Sequence, residues 1–509
     1  MELVLGVIKN IFDINTLLSM IIGCNAGIII GAIPGLNGGI GCAILIPFTF
    51  AMAPLNGLLL LGGIYMGSTY GGSISGILIN VPGTAEAYCT SLEGYPLAKN
   101  GRGKEALYLA VLSSVFGGLI GILALIFFTP MLSSLSLKFG PPEMFLVTIT
   151  GLTVVGSLTG KNIFKGFFAA AFGVFLSMIG IDHISGAYRF TLGIPIMAMG
   201  INLLAVVLGL FAISEMLVQI RNISKKRKHS GSNESCIKIS DLGNINIKVV
   251  TVLRNIFSKP LLIIKSSILG TVIGILPGAG TVIAAFIAYG EAKRTSKGEK
   301  FGVGNIKGII ASESANNAAV GGALVPMLSL GIPGSVTSAI MYGAMIIHGL
   351  SAGPRLFLDH ALFAYSFVYG MLVIVAIMGL TGILFVPLFS IILKIDFKYL
   401  IPTVIMLSLI GAYSIRNSIY DVIVTIVFGF LGLLFDEFEI PKPPIILGLI
   451  LSNLIEKNFR LSMIIAKATN TPVMQYIITR PLSIIIILLS IFLVYVNFKA
   501  ISIDFKNNK

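Results

Sequence analysis

The chain has 509 residues, 56% of them hydrophobic and 11% charged, with a net charge of +14 and a mean hydropathy of +0.97. A water-facing surface needs far more charge than this, so a soluble multidomain enzyme is excluded. Apolar runs of about 18 residues or more, the length that crosses hydrocarbon as a helix, recur from Leu17 to Val496 without sustained period-2 alternation. The chain is therefore predicted to be an all-α polytopic membrane protein, with about 10–14 membrane segments.

Met1 to Asn15 carries acids as well as Lys9, and no small-residue cleavage site follows the first apolar run, so no removable signal peptide is expected. The first break is Gly31-Ala-Ile-Pro34-Gly35, and a second, Asn80-Val-Pro82-Gly83-Thr84, closes the apolar segment from Gly57 to Asn80. Crossings are then predicted at Leu107–Pro130, Phe145–Leu158, Gly166–Ile181 and Ile196–Leu217. Residues 221–259 hold nine Lys/Arg against Glu234 and Asp241, a surplus of +7 that is half the total. A basic stretch between two long apolar regions marks a cytoplasmic linker. No aromatic or glycine pattern of an RNA or DNA module accompanies it, so no nucleic-acid partner is expected.

Beyond the linker the breaks return as Gly274-Ile-Leu-Pro277-Gly278 and Gly331-Ile-Pro333-Gly334-Ser335, displaced by 243 and about 251 residues. Gly156 with Asn162 matches Gly411 with Asn417, and Phe172-Gly173 matches Phe428-Gly429. Ordered matches with slowly growing offsets mean one long duplication: a first transmembrane repeat over 1–220, the linker 221–259 and a second repeat over 260–509. Matching loops differ in basic charge. The Ala51–Asn56 loop is uncharged where Glu291–Lys307 carries five Lys/Arg, and Tyr95–Lys104 is more basic than Leu350–His360. The repeats are thus predicted to be inverted, with five crossings after each hairpin; the basic Glu456–Arg480 loop, assigned outside, is the exception.

Chemistry is expected at the breaks. Pro and Gly inside apolar segments free backbone groups that hydrocarbon does not satisfy, so broken helices face protein or a wet cavity. The bland alternative is that each merely kinks a packed helix. Paired breaks point to a binding site where helix starts attract anions and unwound carbonyls hold cations. Ser68, Thr69, Ser73, Ser75, Asn80, Thr84 and Glu86 cluster in the first half. Ser312, Glu313, Ser314, Asn316, Asn317, Ser329, Ser335, Thr337 and Ser338 do so in the second. No Lys or Arg lies between Gly57 and Leu92 or between Gly308 and Pro354, so an anion there must be held by hydroxyls, amides and backbone N–H groups. Co-bound Na+ on Asn, Ser, Thr and carbonyl oxygens would compensate its charge.

Glu313 is expensive in an apolar segment unless paired, protonated or functional. It is expected either to form one polar patch with Asn316 and Asn317 or to cap the helix that starts near Gly308. Asp182, His183 and Arg189 are expected as solvated outer-loop groups. The four Cys and four His form no metal-ligand spacing and GxSxG is absent, so neither a metal site, a cofactor nor an enzyme is expected.

Together Gly31-Ala-Ile-Pro-Gly, Tyr70-Gly-Gly-Ser-Ile-Ser, Asn80-Val-Pro-Gly-Thr, Glu93-Gly-Tyr-Pro-Leu-Ala-Lys, Gly274-Ile-Leu-Pro-Gly-Ala-Gly, Glu313-Ser-Ala-Asn-Asn and Leu330-Gly-Ile-Pro-Gly-Ser resemble the large membrane subunit of the bacterial tripartite tricarboxylate transporters. The resemblance implies ion-coupled uptake, usually with Na+, of a di- or tricarboxylate such as citrate across the cytoplasmic (inner) membrane. It also implies a small membrane subunit and an extracytoplasmic solute-binding protein that delivers the substrate. On this reading Asn80, Pro82, Gly83, Thr84, Asn316, Asn317, Pro333, Gly334 and Ser335 bind substrate, and Pro34, Gly35, Pro277, Gly278 and Glu313 bind the ion. The alternatives are a stand-alone carboxylate or ion carrier, or a membrane scaffold working through the basic linker.

Overall fold

A computed structural model of the chain describes residues 1–158, 163–182, 185–228, 249–277, 280–296, 298–386, 389, 397–488, 490 and 491. Helices account for nearly all of it. In the first part they are α1 (Glu2–Ile11), α2 (Ile14–Ala32), α3 (Gly38–Thr49), α4 (Pro54–Ile79), a 3-10 turn (Ala85–Ala87), α5 (Tyr88–Leu97), α6 (Gly103–Ser136), α7 (Pro141–Leu158) and α8 (Ile163–Ser177). A small antiparallel hairpin, β1 (Gly180–Ile181) and β2 (Tyr188–Arg189), pairs Gly180 with Arg189. Then come α9 (Leu203–Val207), α10 (Ser214–Lys228), α11 (Val249–Phe257), α12 (Pro260–Ile275), α13 (Gly280–Thr295), α14 (Ile306–Leu330), α15 (Val336–Ile347), α16 (Leu356–Asp359) and α17 (Ala361–Leu384). The chain continues through α18 (Phe397–Arg416), α19 (Ile419–Glu437), α20 (Pro443–Ala468) and α21 (Val473–Ile478).

Local chemistry sets the starts. Asp13 caps α2 by accepting from the amides of Asn15 (3.1 Å) and Thr16 (3.3 Å). Asn37, Asn305 and Ser335 cap α3, α14 and α15 in the same manner. The crossing predicted from Ile196 begins instead at Leu203, because Pro195–Met199 is a 3-10 turn closed by Gly200 at φ +68°. The predicted linker is helical at both ends, in α10 and α11, and residues 229–248 lie outside the described ones.

Among the described residues, five helices are long and apolar enough to cross a membrane, or six if α11 and α12, bent by 79° at their junction, count as one. The difference from the larger number expected has a physical reason. At 26 and 25 residues, α4 and α14 would span about 38 Å at about 1.5 Å per residue. Both are buried almost throughout and rich in Gly, Ser and Asn, so they face protein and need no lipid-like surface. Gly38–Thr49, Phe164–Ser177, Val336–Ile347 and Ile401–Ser414 are apolar but too short to cross alone.

Close helix approach organises the centre. On α2, a Cβ at Gly27 would sit 2.6 Å from the Ile64 carbonyl oxygen of α4, and one at Gly31 would sit 2.3 Å from that of Ser68. On α12, Gly270 meets the Ala315 carbonyl of α14 at 2.1 Å and Gly274 meets that of Ala319 at 2.4 Å. The two helix pairs therefore touch register for register at the sequence offsets of 243 and 251. The halves also interlock: α6 lays Gly117 and Gly121 on Ser314 and Ala318 of α14, and α17 packs against α4 through Met371 at Gly62. One hydrophobic core runs through both halves.

Charged groups at the helix ends are paired. Arg294 and then Lys265 hold the Glu291 carboxyl well below the usual carboxylate range, at about 2. Asp182 and Arg189, expected to be solvated, are not. Asp182 is 6% exposed and bonded to Arg189 (2.8 Å) and Arg460 (3.0 Å), and both arginines also reach Glu456. His183 lies outside the described residues. The stretch expected as a basic loop, Glu456–Arg480, is the second half of α20, a turn and α21; Arg460 is spent in this ring and Arg480 on the buried Glu143 (2.6 Å). These cations are compensated by partners from distant sequence, which a loop charge count does not see.

Candidate functional site

The breaks after α4 and α14 are turns that return the chain beside the helix it left. Asn80 ends α4 in the left-handed region (φ 55°), an accessible conformation for Asn. Pro82 and Gly83 then fold back, the Gly83 amide donating to the Gly72 carbonyl (3.0 Å). A Cβ at Gly83 would lie 1.9 Å from the Gly31 carbonyl oxygen, so only glycine fits. In the second half Gly331 (φ +74°) ends α14, Pro333 follows, and the Gly334 amide donates to the Ala323 carbonyl (3.3 Å) with Gly334 against the Gly274 carbonyl.

These turns aim helix starts at a shared cavity of about 420 Å³. Its walls are the first residues of α3 (Gly38 after Asn37), the 3-10 turn (Ala85, Glu86), α13 (Gly280, Thr281) and α15 (Val336, Thr337 after Ser335), closed by Pro443 of α20 and by Tyr65, Ser68 and Thr69 of α4. The first-turn amides of a helix lack intrahelical acceptors and carry a positive partial charge, so the convergent starts of α3, α13 and α15 form an anion-attracting field without a Lys or Arg among the described lining residues. Asn37 accepts from the Ile40 amide (3.0 Å), Ser335 and Ser338 form a capping box, and Tyr65 Oη lies 2.8 Å from Ser335 Oγ, tying the halves together across the cavity. Among the described residues, no Lys or Arg lines it, and Glu86 is its single charged side chain.

Of the residues expected to bind substrate, Ser335 lines the cavity directly. Thr84 caps the 3-10 turn one residue outside it, with its hydroxyl against Gly72. Asn80, Pro82, Gly83, Pro333 and Gly334 build the turns. Asn316 and Asn317 are buried inside α14 and do not line the cavity; Asn316 Nδ2 donates to the Thr69 carbonyl (3.5 Å) and Asn317 Nδ2 to the Glu313 carbonyl (3.2 Å). Their side-chain carbonyl oxygens are buried without a hydrogen-bond partner among the described residues. Of the residues expected to bind the ion, Pro34 and Gly35 form the turn before α3, with Gly35 (φ +88°) against Gln219 and Glu215 of α10. Pro277 follows α12, and Gly278 lies outside the described residues.

Glu313 neither caps α14, whose cap is Asn305, nor turns its carboxylate to the two asparagines. It is fully buried where α4, α5 and α6 close on α14, and it accepts from Ser73, Thr90 (2.5 Å) and Ser114 (2.7 Å). All three donors come from the first half, so the carboxylate is satisfied by a hydroxyl cradle.

Sequence reasoning assigned no role to Asn37, Tyr65 or Thr281. A signal existed for two of them: Asn37 stands before Gly38-Gly39 as a capping residue would, and Thr281 lies in the first turn of the helix after the Pro277-Gly278 break. Tyr65 sits in an unbroken apolar run, and only tertiary packing places it opposite Ser335.

A helical bundle whose broken helices turn their starts on a shared cavity defines the class, a polytopic membrane transport protein. The chain matches the tripartite tricarboxylate transporter TctA family over residues 17–447 and belongs to it. It is thus the large membrane subunit of a tripartite transporter, not an enzyme, and the family implies further subunits. It is 33% identical over 452 residues, 88% of either chain, to a protein of Agrobacterium vitis described as an uncharacterized 52.8 kDa protein in the TAR-I ttuC' 3'region. A second protein of that organism, from the TAR-II ttuC' 3'region, is 34% identical over 203 residues, covering 40% of this chain and 84% of its own. No solved structure matches the chain.

Proposed function

We propose that this subunit carries a di- or tricarboxylate inward across the bacterial cytoplasmic membrane, coupled to Na+, after delivery by an extracytoplasmic solute-binding protein and with a small membrane subunit beside it. The observation that carries the reading is the cavity where the starts of α3, α13 and α15 meet, with no Lys or Arg among the described lining residues. Backbone amides of α3, α13 and α15, with the Thr337, Ser335 and Asn37 side chains, are suited to several carboxylate oxygens at once, and binding between two hairpins links substrate to the relative position of both. The unpartnered Asn316 and Asn317 oxygens are hard ligands of the kind Na+ uses, one helix turn from Glu313, so the ion is assigned to that region. Transport then follows from alternating exposure of the cavity by two halves of opposite orientation.

The test is uptake of radiolabelled succinate, malate and citrate into proteoliposomes holding the reconstituted complex. Uptake of at least one should follow an imposed Na+ gradient, and Asn316→Ala with Asn317→Ala should abolish the Na+ dependence at normal protein levels. Uptake indifferent to Na+ would refute the coupling, and no uptake of any carboxylate would refute the substrate class.

A further inference from the structure

The cavity contains a contradiction in charge. It is built from helix starts that favour an anion, yet its single charged side chain among the described residues is itself a carboxylate, Glu86. Glu86 is the middle residue of the three-residue 3-10 turn, and it shares the cavity with Thr281 at the start of α13 and Ser335 and Thr337 at the start of α15. It therefore occupies the kind of seat a substrate carboxylate would take. Two unit negative charges about 4 Å apart at an effective dielectric of about 20 lower affinity by roughly a thousandfold. An anion and an ionised Glu86 do not share this cavity without a neutralising charge, and no Lys or Arg side chain lines it among the described residues.

We propose that Glu86 is a proton site, taking one proton from the surrounding water as the anionic substrate binds. The acid form removes the repulsion, and its O–H donates to the substrate carboxylate, a charge-assisted bond of the strong kind. No bond of the substrate breaks; the proton passes from solvent to a Glu86 carboxyl oxygen and leaves again when the substrate does. The other titratable groups near Glu86 are few. From α4 the Tyr65 phenol faces it across the cavity and bonds Ser335. Glu313 of α14 lies outside the cavity lining, within electrostatic reach of Glu86, with its own carboxylate held by three hydroxyls. From α13 it meets Thr281, while Tyr289 of that helix is engaged by Glu93 (2.8 Å). Tyr88 of α5 stacks on Phe286, and Cys89 faces Glu313.

The proposal rests on the carboxylate reading above, and one experiment separates the two. The purified full-length complex is titrated with succinate and with citrate at pH 8, where both are ionised, at constant NaCl in HEPES and in Tris, whose ionisation enthalpies differ. The expected result is a buffer-dependent heat equal to one proton taken up per ligand, and affinity that falls up to tenfold per pH unit from pH 7 to 9. In Glu86→Gln, ligand binds with no proton uptake and a flat pH profile. Binding to the native protein with equal heats in both buffers overturns the proposal, including the case in which binding requires Na+ and so assigns the neutralising charge to the metal ion. Retained proton uptake in Glu86→Gln overturns it as well. If Glu86→Gln does not fold, the proton count of the native protein decides alone. If neither acid binds the native protein, the carboxylate reading itself fails, and the Glu86 proposal with it.

Discussion

Replacing Gly83 by Ala probes the construction of the cavity at its tightest point. The added Cβ would lie 1.9 Å from the Gly31 carbonyl oxygen and 2.9 Å from Ser75 Oγ. The first of these atoms is backbone in the last turn of α2, itself pressed against Ser68 of α4, so the hairpin must yield, by about 1.5 Å if an ordinary van der Waals contact of about 3.4 Å is to be restored. Overpacking of this size costs about 1–3 kcal/mol of stability, which a buried bundle can absorb. Function is more sensitive, because Thr84, Ala85 and Glu86 ride on the same turn and a misplacement of about 1 Å at a site costs on the order of a hundredfold. Gly83→Ala should therefore reach the membrane at near-normal level and lose about a hundredfold in substrate binding or uptake, read by equilibrium binding to purified protein and by proteoliposome flux. Gly290→Ala is the control, since nothing lies within 4 Å of its Cβ and its helical backbone gains about 0.5–1 kcal/mol from Ala. Equal activity in the two variants would refute the reasoning.

The Glu93 carboxylate accepts from the amides of Gly302, Gly304 and Asn305 and from Tyr289 Oη, fastening the α13–α14 loop to α5. With charged hydrogen bonds worth about 1.5–3 kcal/mol each, Glu93→Ala should free that loop and speed tryptic cleavage at Lys300 at least tenfold; unchanged cleavage would show that the loop is held by other means. Asp421 is fully buried and grips Arg416 through both oxygens (2.6 and 2.9 Å). Arg416→Ala leaves that carboxylate alone and should destabilise by about 3–5 kcal/mol, seen as a lower thermal midpoint in detergent, whereas Arg416→Ala with Asp421→Leu should recover most of the loss. The Glu291 knot has a depressed carboxyl pKa of about 2, so its stabilisation is complete above the unfolded value and is lost only as pH falls toward 2. Between pH 5 and 9 Lys265→Ala should therefore shift the thermal midpoint by a constant amount; a shift that changes across that range would contradict the pairing.

The helical membrane class and the two hairpins were legible in the sequence because both rest on local chemistry: hydropathy for the spans, and Pro, Gly and αL-competent Asn for the turns. The register of α2 on α4 and of α12 on α14 was also implicit, since the offsets between the motifs are those between the touching residues. What the sequence did not reveal is which polar residues share a space. Asn316, Asn317 and Glu313 stand out along α14 because they are polar in an apolar run, yet their side chains turn to Thr69, to the helix backbone and to a hydroxyl cradle on α4, α5 and α6. Asn37, Tyr65 and Thr281, scattered over more than two hundred residues, become neighbours through tertiary packing alone. The Arg460 and Arg480 pairings were hidden for the same reason.

The central claim is that the cavity between the two hairpins holds a carboxylate through helix starts. The most direct measurement is equilibrium binding of succinate, malate and citrate to the purified subunit in the presence of Na+, compared between the native chain and Thr337→Val, which deletes a lining hydroxyl at the start of α15 with little change in shape. At least one of the three acids should bind, and the variant should weaken that binding about tenfold without altering the thermal midpoint. Binding of the same strength in Thr337→Val and in Ser335→Ala would place the carboxylate elsewhere and contradict the account.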